Sequence, residues 1–265
     1  MRSGIESRKC YKRRYQRKNK ALKNMVVLVF GFCILFVVAL TVRKQIPMFR
    51  AFMNGSDLLL EKDQYPQELL DMLSRNPKMY DFVLNYPEKK GNVYADTVGE
   101  VTKGEFPLLI QWDEKWGYGN YGDSSIAVSG CGPTALSSVI AGLTGSNQVT
   151  PYTVAKYAEE NGYYVEGAGT SWELFTRGGE NFGVKGEEIS LTKTAVFQAL
   201  ENGKPIICSM RPGDFTTAGH FIVLIGIEDG KIKVNDSNSR ENSEKLWEYE
   251  VLETQIKNLW AFQRS

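Results

Sequence analysis

Two residues in this sequence have the type and setting for nucleophilic chemistry. Cys131 stands between two glycines in SGCGPTALSSVIAGLTG, and Pro133 opens a helix directly behind it. A helix N-terminus presents unpaired N–H groups and the positive end of the macrodipole, and both favour a thiolate. The flanking glycines allow a tight bend and a close approach by substrate. His220 is the only histidine in the chain, so any Cys–His mechanism must use it. It opens the apolar run HFIVLIGI after Gly219, where a ring can overhang a cleft while its strand stays buried. A thiol with an adjacent imidazole is the arrangement for acyl transfer through a covalent intermediate. Cys208 is the internal contrast: it lies within the apolar run PIICSM and reads as a small core residue. The readings that compete for Cys131 are a packed core thiol and a Cys131–Cys208 disulfide.

A third group should orient the imidazole. Asn235 and Asp236 both close the strand that returns after the turn Glu228-Asp229-Gly230-Lys231, and Asp-Gly is a strong hairpin signal. Side chains alternate along a strand, so only one of the two shares a face with His220. A two-residue turn with regular pairing favours Asn235, whereas a bulge favours Asp236. Spacing alone leaves both open.

The elements that must hold these groups follow from periodicity and punctuation. Helices are expected over 131–143, 150–161, 170–181 and 192–202. Strands are expected over 205–210, 220–227, 231–235, 246–251 and 260–262, after an extended lead-in over 105–111. Helices come first and strands later, an α+β layout rather than alternating βαβ. Upstream, residues 57–87 read as an amphipathic helical pair punctuated by Pro66, Pro77 and Pro87, with Asn76 as a cap. This pair is expected to dock on the main body and space it from a membrane; a substrate clamp is the sharper alternative. In QWDEKW, Trp112 and Trp116 read as packing residues, and the glycine-rich GYGNYGDSS as a loop near the cleft. Trp172 is a candidate lining residue for the groove.

The 265-residue chain carries a net charge of +1 that hides an asymmetry. Residues 1–24 hold ten Lys or Arg and one acid, a charge of +9 that leaves −8 for the rest. An acidic body gives no footing to nucleic acid, whose phosphates demand cations. Residues 25–42, MVVLVFGFCILFVVALTV, contain no charge. As a helix they would span about 27 Å at ~1.5 Å per residue, enough for the hydrocarbon core. The basic flank lies N-terminal, which puts the N-terminus in the cytoplasm and the body outside. A cleaved signal peptide fits less well, because the basic region is long and no A-x-A site follows. Cys33 falls within the apolar run and Cys10 in the basic arm. Four cysteines and one histidine form no CxxC pair, metal cluster or disulfide framework. The expected organisation is a basic cytoplasmic arm (1–24), a single-pass anchor (25–42), a helical spacer (43–103) and a catalytic domain (104–265).

Taken together, QWDEKWGYGNYG, SGCGPTALSSV, AGHFIVLIG and VNDSNS resemble the bacteriocin-processing (double-glycine leader) peptidase family and its broad relatives on bacterial cell surfaces. The resemblance runs from about Phe106 to Phe262. It implies a papain-like fold and a thiol peptidase that needs no metal or cofactor, acting on a peptide or protein. It matches Cys131 to the nucleophile, His220 to the base and Asp236 to the orienting acid, and so predicts a bulge in the hairpin. It also matches Gln111 to the family glutamine that helps form the oxyanion hole. The position six before Cys131 holds Ser125 instead. The family's processing enzymes are usually fused to a transporter with an ATP-binding domain. This sequence has no GxxxxGK[ST] and one apolar span, so a surface peptidase fits better, and a transporter partner is left open. The alternatives are a catalytically inactive peptide-binding domain of the same fold and a peptidoglycan amidase or endopeptidase.

Overall fold

The computed structural model describes residues 64–265. The basic arm and the apolar run 25–42 lie outside the described residues, among which no helix is long and apolar enough to cross a membrane. The framework is a six-stranded, wholly antiparallel sheet formed by β1 (Val184–Glu188), β2 (Ile206–Met210), β3 (His220–Glu228), β4 (Lys231–Asp236), β5 (Leu246–Trp247) and β6 (Ile256–Arg264). Its spatial order is β1-β6-β2-β3-β4-β5. The run IICSM of β2 is buried throughout, as a central strand covered on both faces must be.

Alternation along these strands divides two cores. One side gathers Ile207, Phe221, Val223, Trp260 and Phe262 against α2 (Cys131–Thr144) and α3 (Pro151–Glu160). The other gathers Ile206, Cys208, Ile222, Leu224 and Leu259 against α4 (Lys193–Glu201) and the helical turn Tyr249–Glu253. Every residue of α2 from Gly132 to Gly142 is buried. Its serines are affordable there because each hydroxyl is satisfied: Ser137 donates to the Val149 carbonyl and Ser138 to that of Pro107, at 2.5 and 2.6 Å.

Two expectations require correction, and one strand has no counterpart among the expected elements. The helix expected over 170–181 breaks into a turn at Glu173–Thr176 and a 3-10 segment at Gly178–Phe182, where paired glycines do not sustain a helix. The strand expected over 246–251 pairs only at Leu246–Trp247 before the chain turns helical. The edge strand β1, VKGEE, was not anticipated, because its charges and glycine hide a strand that needs only one partner.

Upstream, α1 (Gln67–Arg75) is followed by a 3-10 turn at Pro77–Met79 that Asn76 caps by accepting from the Lys78 N–H. These elements belong to the same compact unit as the sheet, which runs from Glu61 to Ser265. Phe82 stacks on Tyr118 at 4.1 Å, and the Tyr118 hydroxyl donates to the Phe82 carbonyl. The amide of Asn76 donates to the Asn238 carbonyl at 3.0 Å, and Arg75 donates to Thr217. The helical pair therefore docks on the body.

Candidate active site

Cys131 is the first residue of α2, and its cap, Gly130, supplies no side-chain hydrogen bond to the first turn. The helix therefore starts with free backbone donors around a half-buried thiol. The two glycines are required for packing and not for a left-handed backbone. A Cβ on Gly130 would lie 2.5 Å from the Ile126 carbonyl, and one on Gly132 would lie 2.7 Å from the Thr170 hydroxyl. Thr170 is itself held by Tyr121, the two hydroxyls lying 2.9 Å apart. Cys208 is also a free thiol, but it is fully buried on the opposite face of the sheet, and burial pushes its pKa up.

His220 begins β3 opposite Met210 at the open end of the sheet. Its Nε2 donates to Asp236 Oδ1 at 2.8 Å, which leaves Nδ1 for the thiol side. The register explains the contact. Asp229 and Gly230 both have positive φ, as the tight Asp-Gly turn requires. Pairing is regular from Glu228↔Lys231 to Gly226↔Lys233, then shifts at Ile225, so that Leu224 faces Val234 and Ile222 faces Asp236. That bulge moves Asp236 onto the His220 side of the strand pair. Asn235 is turned away and donates to the Phe106 carbonyl at 3.0 Å.

Asp236 is 1% exposed, and its carboxylate is fully engaged. Oδ1 also accepts from the Asn238 N–H, and Oδ2 accepts from Asn242 Nδ2, both at 2.9 Å. Burial works against its charge, but His220 and these donors outweigh that and hold its pKa below the ordinary value. For His220 burial again opposes the charged form. The Asp236 charge and hydrogen bond, with a smaller contribution from the neighbouring Cys131, overcome it and push the pKa up to about 10. The geometry therefore favours an imidazolium beside the thiol at neutral pH, tied to a buried carboxylate.

Gln111 lines the same cleft and is 2% exposed. Its amide is oriented at both ends: Nε2 donates to the Ala127 carbonyl at 2.7 Å, and Oε1 accepts from the Ser237 hydroxyl at 2.9 Å. An amide nitrogen carries two hydrogens, so one remains for a substrate oxygen. The backbone N–H of Gln111 also donates to the Ser237 carbonyl. The end of β4 thus fixes three things in succession: Asn235 pins Phe106, Asp236 holds His220 and Ser237 holds Gln111. Ser125, six before Cys131, is buried at the start of the turn Ile126–Ser129 and does not line the cleft.

All four residues singled out from the sequence, Cys131, His220, Asp236 and Gln111, are brought together. Sequence reasoning missed Ser237 and Asn242, and only a small polar residue next to Asp236 could have pointed to the first. Trp116 is a core residue and Trp112 a half-buried wall of the cleft. Glu114 pairs with Lys89 at 2.6 Å. The groove has two arms that meet at Cys131 and His220, one of about 500 Å³ and one of about 1010 Å³. The glycine-rich loop borders the larger arm through Gly122, Asp123 and Ser124.

A thiol at a helix start, an imidazole held by a buried carboxylate and an amide donor in one groove are the parts of a cysteine-peptidase domain of papain-like design. The model of the peptidase C39-like family matches residues 103–264, and the chain belongs to that family. Among solved structures, the peptidase domain of Streptococcus ComA, a bi-functional ABC transporter of a quorum-sensing pathway, is 17% identical. It covers 61% of this chain and 100% of its own, at a TM-score of 0.42. A C39-like peptidase from Bacillus anthracis is 15% identical, covering 63% of this chain and 98% of its own at 0.34. A double-glycine-motif protease from an AMS/PCAT transporter, solved with its leader peptide, is 13% identical, covering 64% and 97% at 0.33. No curated protein matches the chain.

Proposed function

We propose that this chain is a membrane-anchored, extracytoplasmic cysteine peptidase that hydrolyses peptide bonds through Cys131, His220 and Asp236. The observation that carries the reading is the His220–Asp236 hydrogen bond at the junction of a two-armed groove that also holds Cys131 and Gln111. In this reading the Cys131 thiolate attacks the scissile carbonyl carbon. The oxyanion is met by the spare Gln111 N–H and the Cys131 backbone N–H. His220 gives its proton to the departing amine, the C–N bond breaks and a thioester remains. Water then adds to the thioester while His220 takes its proton. The C–S bond breaks, a carboxylic acid leaves and the thiolate–imidazolium pair is restored. Asp236 keeps the ring oriented and its charge compensated throughout.

The basic arm at 1–24 and apolar run at 25–42 support an inside N-terminus and an outside domain. Residues 43–103 then act as spacer, and 104–265 as the catalytic domain. The partners of this reading are the membrane and a peptide or protein substrate, without nucleic acid.

The test measures alkylation of Cys131 against pH, and hydrolysis of a peptide library, in the full-length wild type, Cys131→Ser and His220→Ala. Fast alkylation near neutrality that needs His220, with hydrolysis lost in both variants, is the expected result. An alkylation profile unchanged in His220→Ala would overturn it.

A further inference from the structure

The larger arm of the groove carries a built feature that the catalytic reading does not use. Strand β6 is irregular next to β2: Met210 pairs with Ile256 and Ser209 with Asn258, so Lys257 is the extra residue of a bulge. Bulges re-aim side chains beside active sites. Here the Lys257 ammonium sits 5.3 Å from the centre of the Trp172 ring, and both side chains line the arm that reaches Cys131 and His220. Trp172 is 38% exposed, unusual for a residue of its size, yet it is fixed edge-on at 5.3 Å against the buried Trp260. Arg211 lines the same arm just beyond the end of β2, and its N–H is anchored to the Gln255 carbonyl at 2.7 Å, one residue from β6.

No carboxylate among the described residues forms an ion pair with Lys257 or Arg211. Of the acids that border this arm, Asp123 accepts the Tyr164 hydroxyl, and Glu68 is shared with the smaller arm. The Lys257 cation against a fixed indole, with the Arg211 cation in the same arm, matches one chemistry. A carboxylate can take the Arg211 fork and the Lys257 charge, while its methylenes lie on Trp172.

We propose that Lys257, Arg211 and Trp172 form a subsite that selects peptides carrying an acidic side chain in the larger arm. The inference rests on the peptidase reading of the groove and adds the substrate class to it.

The test uses positional-scanning sets of acetylated, amidated peptides carrying Glu, Gln or Lys, so that only side chains bring charge. Hydrolysis by the full-length wild type and binding to full-length Cys131→Ala are measured in parallel. At one position Glu is expected to exceed Gln by roughly fivefold to tenfold in kcat/KM and in affinity, the scale of a partly exposed ion pair. The preference should shrink as salt is raised. Lys257→Glu should abolish it, since the new carboxylate neutralises Arg211; Lys257→Glu combined with Arg211→Glu should reverse it in favour of Lys, which also shows that the variant is folded, and Trp172→Ala should weaken it without reversal. Hydrolysis with no Glu preference at any position overturns the subsite and leaves the peptidase reading intact. A Glu preference in binding to Cys131→Ala without hydrolysis by wild type overturns the peptidase reading and keeps the subsite. Neither binding preference nor hydrolysis overturns both. A set of unamidated peptides ending at each position separates a side-chain carboxylate from a chain-terminal one, and preference for the terminal group alone would overturn the proposal as stated.

Discussion

Asp236→Asn is the most informative single change, because its effect can be sized from the structure. The carboxylate is the main reason that a buried imidazole is driven up to about 10 from an ordinary 6.5. At ~1.36 kcal/mol per unit, that difference is about 4–5 kcal/mol in favour of the charged ring. Removing one partner of a buried pair costs a similar ~3–5 kcal/mol. Asparagine keeps the shape and can still accept from Nε2, but it withdraws the charge. Burial alone then favours the neutral ring, and the imidazolium population at neutral pH should collapse. The expected result is a fall of ~10²-fold or more in Cys131 alkylation near pH 7. The assay is alkylation by iodoacetamide from about pH 5 to 10, with the His220 ring followed by NMR in both proteins. A ring that remains charged at pH 7 in Asp236→Asn, with alkylation within a few-fold of wild type, would refute the electrostatic argument. Cys131 would then owe its reactivity to the helix start alone.

Further outcomes follow from the same geometry. The raised His220 pKa contributes stability that is complete below about 6.5 and is lost as pH rises through about 10. The lowered Asp236 pKa contributes stability present above its ordinary 3.8 and lost as pH falls further. Chemical denaturation across pH should show both flanks in wild type and a flatter curve in Asp236→Asn. Gln111→Ala should lower kcat by ~10²–10³-fold, the usual cost of one oxyanion donor, while Cys131 alkylation changes little; equal losses in both would argue for a structural role. Gly132→Ala forces a Cβ to 2.7 Å from Thr170 and should cost ~1–3 kcal/mol, read as a drop in Tm that Thr170→Ser does not relieve but Thr170→Gly does. Cys208 should resist alkylation in the native protein, and Cys208→Ala should leave kcat/KM unchanged, because its thiol is buried on the far side of the sheet from Cys131.

The sequence by itself singled out the candidate nucleophile and the candidate base. Cys131 declared itself by a glycine frame and a proline at a helix start, and His220 by being the only imidazole at a strand mouth. The helices at α2, α3 and α4 and the Asp229-Gly230 hairpin were legible for the same reason: local periodicity and turn chemistry act within a few residues of the signal. The third group was not legible from spacing, because adjacent residues on a strand face opposite ways and one extra residue exchanges them. The bulge at Ile225, a product of pairing between two strands, selected Asp236 and sent Asn235 to Phe106. Ser237 and Asn242 were silent because their partners, Gln111 and the far oxygen of Asp236, are defined only when the chain closes on itself. The edge strand β1 was hidden for a related reason: one-sided pairing imposes no apolar pattern, so only its register with β6 reveals it. Lys257 reads as an ordinary solvated lysine until the bulge in β6 sets it over Trp172. Residue chemistry is written along the chain, but which groups share a face depends on register, and register is settled only by strands that are distant in sequence.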